Sequence, residues 1–193
     1  SELQQTFPTC LEAIADNTTL PSEVVIVCDG PLDWDIDGQI APYQGLLNIK
    51  LVKLEKNVGL ARALNIGIEN CEYDIIARVD SDDFCRFDRF EKQLFYINKG
   101  FNLVGSNIQE VDGNGKSLMI RAVPEQSQEI LDFALRRNPF NHMTVMYRKQ
   151  NLIRVGLYPD FYLKEDYALW CQMLSQPWIR PFNIQECLMK VTA

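Results

Sequence analysis

Apolar residues recur along this chain in two rhythms, one helical and one of strands. Phe7, Leu11 and Ile14 fall at helical spacing within 3–15 and predict an amphipathic helix, limited by Pro8. Asn17-Thr18-Thr19-Leu20-Pro21 is a turn. Glu23 to Cys28 is a β-branched run ending in Asp29-Gly30-Pro31, a strand closed by a sharp turn. Residues 32–46 are mixed and fit a short helix over a loop, whereas Ile49 to Leu54 alternates apolar and basic residues like a half-buried strand. Gly59 ends the next turn, and Leu60, Leu64 and Ile68 continue one helical face to Cys71. The apolar run 74–79 reads as a buried strand. A helix over 87–98 follows, with Phe87, Phe90, Leu94 and Ile97 inward. Helix, strand, strand, helix, strand, helix predicts a layered α/β sheet with parallel pairs.

The second half is less regular. Phe101–Gly105 and Asn107–Val111 read as extended, and Asp112-Gly113-Asn114-Gly115 as a hairpin turn. A calcium loop is excluded there, because the position that should carry its bidentate Glu is Val123. Glu125 to Arg137 predicts a helix with Ile130, Phe133 and Ala134 inward, and His142 to Tyr147 a strand leading to a short helix from Lys149. Glu165 to Leu174 is a helix opened by acidic residues, and Cys187 to Val191 a last strand. No internal repeat, linker or low-complexity segment interrupts the chain.

Composition changes this picture little, and charge narrows it. With 193 residues, 47% of them hydrophobic, the chain is long enough for one domain with a sizeable core. A net charge of −7 excludes a nucleic-acid binder dominated by phosphate contacts. A single nucleotide is still compatible, since a metal ion can supply positive charge. No apolar run is long enough to predict a membrane-spanning helix. Six cysteines without a C-x-x-C pair fit a reduced, cytoplasmic protein with buried thiols. The single histidine, His142, excludes a zinc site that needs two. The chain starts at Ser1 with no signal peptide, which fits a fragment trimmed at its front.

Four groups of residues can carry chemistry. The strand 74–79 delivers Asp80, Asp82 and Asp83, and Asp80 and Asp82 share one side of an extended segment. Two hard oxygen ligands suit Mn2+ or Mg2+ completed by substrate phosphates; the plain alternative is a cap for the next helix, a role that suits Asp83. Asp29 either reaches a ligand across the strand ends or bonds its own turn. In Lys56-Asn57-Val58-Gly59, the glycine lets the backbone approach a ligand, and Arg62 can meet phosphate or brace the aspartates at 80 and 82. This is not a P-loop. Glu165-Asp166 is either a general base or favourable charge at a helix start. His142 is a ligand contact, a metal ligand or a core histidine.

In order and spacing these pieces resemble the inverting family 2 glycosyltransferases of bacterial exopolysaccharide and O-antigen synthesis. The resemblance is carried by Glu23-Val-Val-Ile-Val-Cys-Asp-Gly30, Lys56-Asn-Val-Gly-Leu-Ala-Arg-Ala-Leu-Asn65, Asp80-Ser-Asp-Asp83 and Arg89-Phe-Glu-Lys-Gln93. Further along, it is carried by Leu103-Val-Gly-Ser106, His142-Met-Thr-Val-Met-Tyr-Arg148, Val155-Gly-Leu-Tyr158 and Glu165-Asp-Tyr-Ala-Leu-Trp170. It implies a GT-A fold, a three-layer, Rossmann-like α/β/α domain with a central, mostly parallel sheet. Residues 1–99 would be the nucleotide-binding half and 100–193 the acceptor-side half. Asp29 matches the base-recognition aspartate, and Asn57 and Arg62 match residues lining the nucleotide site. Asp80 and Asp82 match the D-x-D motif at the ribose, donor sugar and metal, and Asp166 with Glu165 the pair that supplies the catalytic base.

The implied reaction is metal-dependent transfer of a sugar from a nucleotide-diphosphate donor, a UDP-sugar, to a saccharide or lipid-linked acceptor. Its place would be the cytoplasm, at the inner face of the membrane, with peripheral membrane association through segments outside this stretch. A nucleotidyltransferase and a non-catalytic nucleotide-sugar-binding domain are the alternatives. Two departures stand out: the family's first strand, central to its sheet, is absent from this stretch, and the common Asp-Asp-Gly-Ser turn is Cys28-Asp29-Gly30-Pro31.

Overall fold

A computed structural model describes residues 2–113 and 115–192. The first helix, α1 (Glu2–Ala15), runs straight through Pro8. An interior proline costs roughly 3 kcal/mol. Burial of Phe7, Cys10, Leu11 and Ile14 on one face offsets it, since each large apolar side chain contributes about 1.5–3 kcal/mol.

Strands β1 (Val24–Cys28) and β2 (Ile49–Lys53) pair in parallel, Val24 opposite Ile49 through Cys28 opposite Lys53. Their connection passes over α2 (Ile36–Ile40), capped by the Asp35 side chain, and a 3-10 turn at Ala41–Tyr43. Helix α3 (Leu60–Asn70) packs back on β1. A Cβ on Gly67 would meet Val27 Cγ2 at 3.2 Å, so the small residue is what permits the approach.

The larger sheet contains β3 (Ile75–Ala77), β4 (Phe84–Cys85), β5 (Leu103–Val111), β6 (Ser117–Arg121), β7 (Met146–Arg148) and β8 (Pro181–Thr192). Its order is β3-β7-β5-β8-β4, with β6 beside β5. Helices α4 (Arg89–Asn98), α5 (Ser127–Ala134), α6 (Lys149–Val155) and α7 (Glu165–Leu174) flank it. Two cores lie on the two faces of the central β5. Val104 and Ile108 join Cys10, Ile14, Phe90, Ile97 and Leu188 on one side. Leu103 joins Ala61, Ile68, Ile130, Leu152, Leu169 and Trp170 on the other. This is the expected three-layer α/β/α arrangement.

The sheet is mixed rather than mostly parallel. Among the described residues, β1–β2 and β5–β8 are parallel, whereas β3–β7, β4–β8, β5–β6 and β5–β7 are antiparallel. Parallel neighbours need a long crossover. The chain supplies one between β1 and β2, but β6 returns directly from β5 through the turn after Val111, of which Asn114 lies outside the described residues. Among the described residues, β1 pairs only with β2 and β3 only with β7, so the sheet divides between β1 and β3.

Other boundaries shift as well. The two extended segments at 101–111 are one continuous buried strand, and the last strand starts at Pro181 rather than Cys187. His142–Thr144 is a 3-10 turn, because Asn141 O accepts from both the Thr144 hydroxyl (2.7 Å) and the Thr144 amide (2.9 Å). Phe87, expected inward, lies before α4 and is 59% exposed.

Candidate active site

The end of β1 and the start of α3 are built as one unit. Asp29 follows β1, and its carboxylate accepts from Val58 N (2.6 Å) and Gly59 N (3.1 Å). Asn57 Oδ1 also accepts from Gly59 N, at 3.1 Å. Gly30, at φ 102°, lies against this turn so closely that a Cβ would sit 2.8 Å from Asn57 N. Asp29 and Asn57 therefore converge on the Gly59 amide, and both carboxylate oxygens of Asp29 serve loop amides. Arg62, one turn into α3, is exposed and faces Asp160 at 3.8 Å.

The aspartates after β3 have a different neighbour from the one expected. Arg78, not Arg62, braces Asp80 through Nη2 and Oδ1, and Arg78 is itself buried. Burial raises the Asp80 carboxyl, and the Arg78 charge opposes the rise. Asp82 is exposed. Asp83 is buried, with Oδ2 making no hydrogen bond. Loss of hydration, then repulsion from Asp80 and Asp82, pushes it up to about 7. Asp83 does not cap the following helix: Asp88 stands at that position, and Asn17 Oδ1 accepts from Phe90 N at 3.3 Å.

Behind the aspartates, Arg89 is fully buried. Its Nη2 donates to Arg78 O (2.6 Å) and its Nε to Gln93 Oε1 (2.9 Å). Gln93 in turn donates to Val104 O and Thr144 O. Burial lowers the Arg89 guanidinium to about 10. The Arg89–Gln93 pair thus fixes the end of β3 against β5 and the 142–144 turn.

At the amino end of α7, Glu165 is buried and Asp166 half-buried. Asp166 Oδ2 accepts from Asn138 Nδ2 at 2.6 Å, and Oδ1 accepts from Tyr167 N at 2.7 Å. Tyr167 Oη donates to Ala134 O at 2.6 Å, tying α7 to the end of α5. His142 Nε2 lies 2.9 Å from Tyr158 Oη, and its ring packs edge-on against Trp170. Burial, then the Arg78 charge, holds His142 well below its usual range, so the ring is neutral. By accessible surface His142 is half-buried. Tyr158 is anchored to α3 by both its N and O, each 2.9 Å from the Asn65 side chain.

Burial, then Tyr147, raises the Tyr158 hydroxyl well above its usual range, and the Arg78 charge opposes the rise. Sequence reasoning missed Arg78, Asn138 and Tyr158. An arginine inside the apolar run 74–79 was the available signal for the first, since a charge in a buried strand needs a partner. Among the described residues, no three His, Cys, Asp or Glu side chains converge as a metal cage. An ion that takes one or two protein carboxylates and completes its shell with phosphate and water needs no such cage.

The glycosyl transferase family 2 model matches residues 2–160. The amylovoran biosynthesis glycosyltransferase AmsE of Erwinia amylovora is 38% identical over 195 residues, covering 100% of this chain and 72% of its own. An Escherichia coli UDP-Gal:alpha-D-GlcNAc-diphosphoundecaprenol beta-1,3-galactosyltransferase is 39% identical over 182 residues, 93% of this chain and 66% of its own. Among solved structures, the mannosyltransferase PcManGT of Pyrobaculum calidifontis, in complex with GDP-Man and Mn2+, superposes with a TM-score of 0.72 at 15% identity. That match covers 97% of this chain and 53% of that structure, so it speaks to the fold.

Proposed function

Because the chain belongs to glycosyl transferase family 2 and carries the GT-A fold, we propose that it transfers a hexose, with inversion, from a UDP-sugar to a hydroxyl of a saccharide or lipid-linked acceptor during synthesis of a cell-surface polysaccharide. The reading rests on one observation above all. Asp29 and Asn57 both hold the Gly59 amide at the head of α3, within the residues 2–160 that match the family. The E. coli relative, named for UDP-Gal and a diphosphoundecaprenol acceptor, supports the choice of donor and a lipid-linked acceptor.

In this reading residues 1–99 hold the donor and 100–193 receive the acceptor. Asp29 shapes the 56–59 turn so that Asn57 and the start of α3 face the nucleotide, with Arg62 at its edge. Asp80 and Asp82 would hold Mn2+ or Mg2+. Such an ion supplies charge that stabilises a departing diphosphate. Arg78 keeps Asp80 oriented when no donor is bound. Asp166 accepts the proton of the acceptor hydroxyl as that oxygen attacks the anomeric carbon from the face opposite the leaving group. Asn138 and the Tyr167 amide aim the carboxylate, and Glu165 braces the helix start from inside. One displacement inverts the anomeric centre. The place of action is the cytoplasm, at the inner face of the membrane.

The test is a panel of UDP- and GDP-sugars scored by thermal shift with and without Mn2+, followed by NMR of the product's anomeric proton. Stabilisation by one donor and an inverted product are expected. Binding of UDP without transfer would make the chain a binding module, and a product of retained configuration would exclude the single displacement.

A further inference from the structure

We infer that the open edge of His142 contacts a hydroxyl of the donor's sugar ring, an inference that rests on the nucleotide-sugar reading above. The imidazole is engaged at Nε2, which lies 2.9 Å from Tyr158 Oη. Among the described residues, Nδ1 makes no hydrogen bond and is not one of the buried unpartnered atoms. That edge of the half-buried ring therefore opens to solvent.

The ring is held more firmly than a solvent-facing side chain needs. Its centroid lies 5.4 Å from that of Tyr158 and 5.9 Å from that of Trp170, which packs on it edge-on. Tyr158 is itself clamped: its N and O each meet the Asn65 side chain at 2.9 Å, and its hydroxyl is hydrogen-bonded to that of Tyr147. The residue before it, Leu157, stands at φ 66°, a left-handed backbone that a branched apolar side chain rarely adopts. Such strain persists where the surroundings over-determine a position, and it collects at ligand clamps.

Contacts tie this ring to both carboxylate groups, and most closely to the donor side. Arg78, two residues before Asp80, donates from its backbone N to Val145 O at 2.9 Å. Gln93, the partner of Arg89, donates to Thr144 O at 2.7 Å. Both bonds hold the turn that carries His142 against the end of β3. On the other side, Trp170 stands one helical turn after Asp166 on α7, and residues at that spacing share a face.

Chemistry narrows the ligand. A neutral imidazole carries one N–H and one bare nitrogen, and the Tyr158 hydroxyl can serve either form of Nε2. Nδ1 is thus free to donate or to accept, and a hydroxyl answers both roles. A phosphate gains most from a charged donor, which this ring is not. A cation would meet the same Arg78 charge that lowers the ring's affinity for a proton. Sugar hydroxyls are the groups a donor brings beside Asp80.

The experiment is calorimetry with Mn2+ of UDP, UDP-galactose, UDP-glucose and UDP-GlcNAc on wild type, His142→Phe, His142→Asn and His142→Gln, with melting curves as a check of folding. Phenylalanine keeps a ring against Trp170, an asparagine amide overlays Nδ1, and a glutamine amide overlays Nε2. His142→Phe and His142→Gln should each weaken the best UDP-sugar about threefold to tenfold and leave UDP itself unchanged, and His142→Asn should restore the lost affinity. UDP-sugar affinity at the wild-type value in His142→Phe would overturn the contact. So would equal losses for UDP and UDP-sugar, or recovery by His142→Gln rather than His142→Asn in step with the melting temperature, the pattern of a ring that only braces Tyr158. Normal wild-type binding with an unaffected His142→Phe removes the contact alone, whereas a wild type that binds neither UDP nor any UDP-sugar removes the donor reading and the contact with it.

Discussion

Asn138 Nδ2 lies 2.6 Å from Asp166 Oδ2, linking the segment after α5 to the first turn of α7 across 28 residues of chain. Hydrogen bonds to charged groups contribute about 1.5–3 kcal/mol. Asn138→Ala should therefore lower kcat roughly tenfold, with the donor KM unchanged. Asp166→Asn should lower it further, by about 10²–10⁴. Steady-state kinetics decide, and an Asn138→Ala enzyme with altered donor KM and normal kcat would place Asn138 outside the transfer step.

Asp82 is exposed and Asp80 is braced by Arg78, so the two can be separated experimentally. Asp82→Ala should abolish Mn2+-dependent UDP binding in calorimetry while changing stability by no more than about 0.5 kcal/mol. UDP affinity that is the same with and without Mn2+ in the wild type would remove the metal from the scheme.

Asp29 accepts from two amides of the 56–59 turn. Asp29→Ala leaves both without this partner and should destabilise the fold by about 1 kcal/mol in urea unfolding, with weaker UDP binding. Gly30→Ala should be worse than a typical surface change, because its Cβ would strike Asn57 N at 2.8 Å on a backbone at φ 102°.

His142 is neutral in the fold because burial and Arg78 lower its affinity for a proton. The unfolded chain protonates near pH 6.5, so it binds more protons than the folded chain below that pH. Stability is then full above pH 6.5 and falls as pH drops below it, with a limiting slope of about 1.4 kcal/mol per pH unit. His142→Gln should flatten urea-derived stability between pH 6.5 and 5, and an unchanged slope would show that the ring is not responsible.

The elements with strong local signals were legible in the sequence. β1 ends in Asp29-Gly30, α3 starts after Gly59, and α7 starts at Glu165-Asp166, each within a residue of where periodicity and turn chemistry put it. The residues flagged in those places belong to loops whose backbone they themselves hold. What escaped was long-range pairing. No local pattern announces that β7 and β6 run against β5, because strand direction depends on which partner is reached rather than on composition. Asn138 escaped for the same reason: its meaning comes only from Asp166. His142–Thr144 misled because an apolar run containing Thr144 reads as strand, while the Thr144 hydroxyl returns to Asn141 O and closes a turn.

The division between β1 and β3 governs how the molecule breathes. β1 and β2 form a ribbon whose ladder continues into no third strand among the described residues. A two-strand ribbon is marginal by itself and here leans on α1, α2 and α3. Amide protons of residues 24–28 should accordingly exchange with solvent through openings that leave the β5–β8 ladder closed.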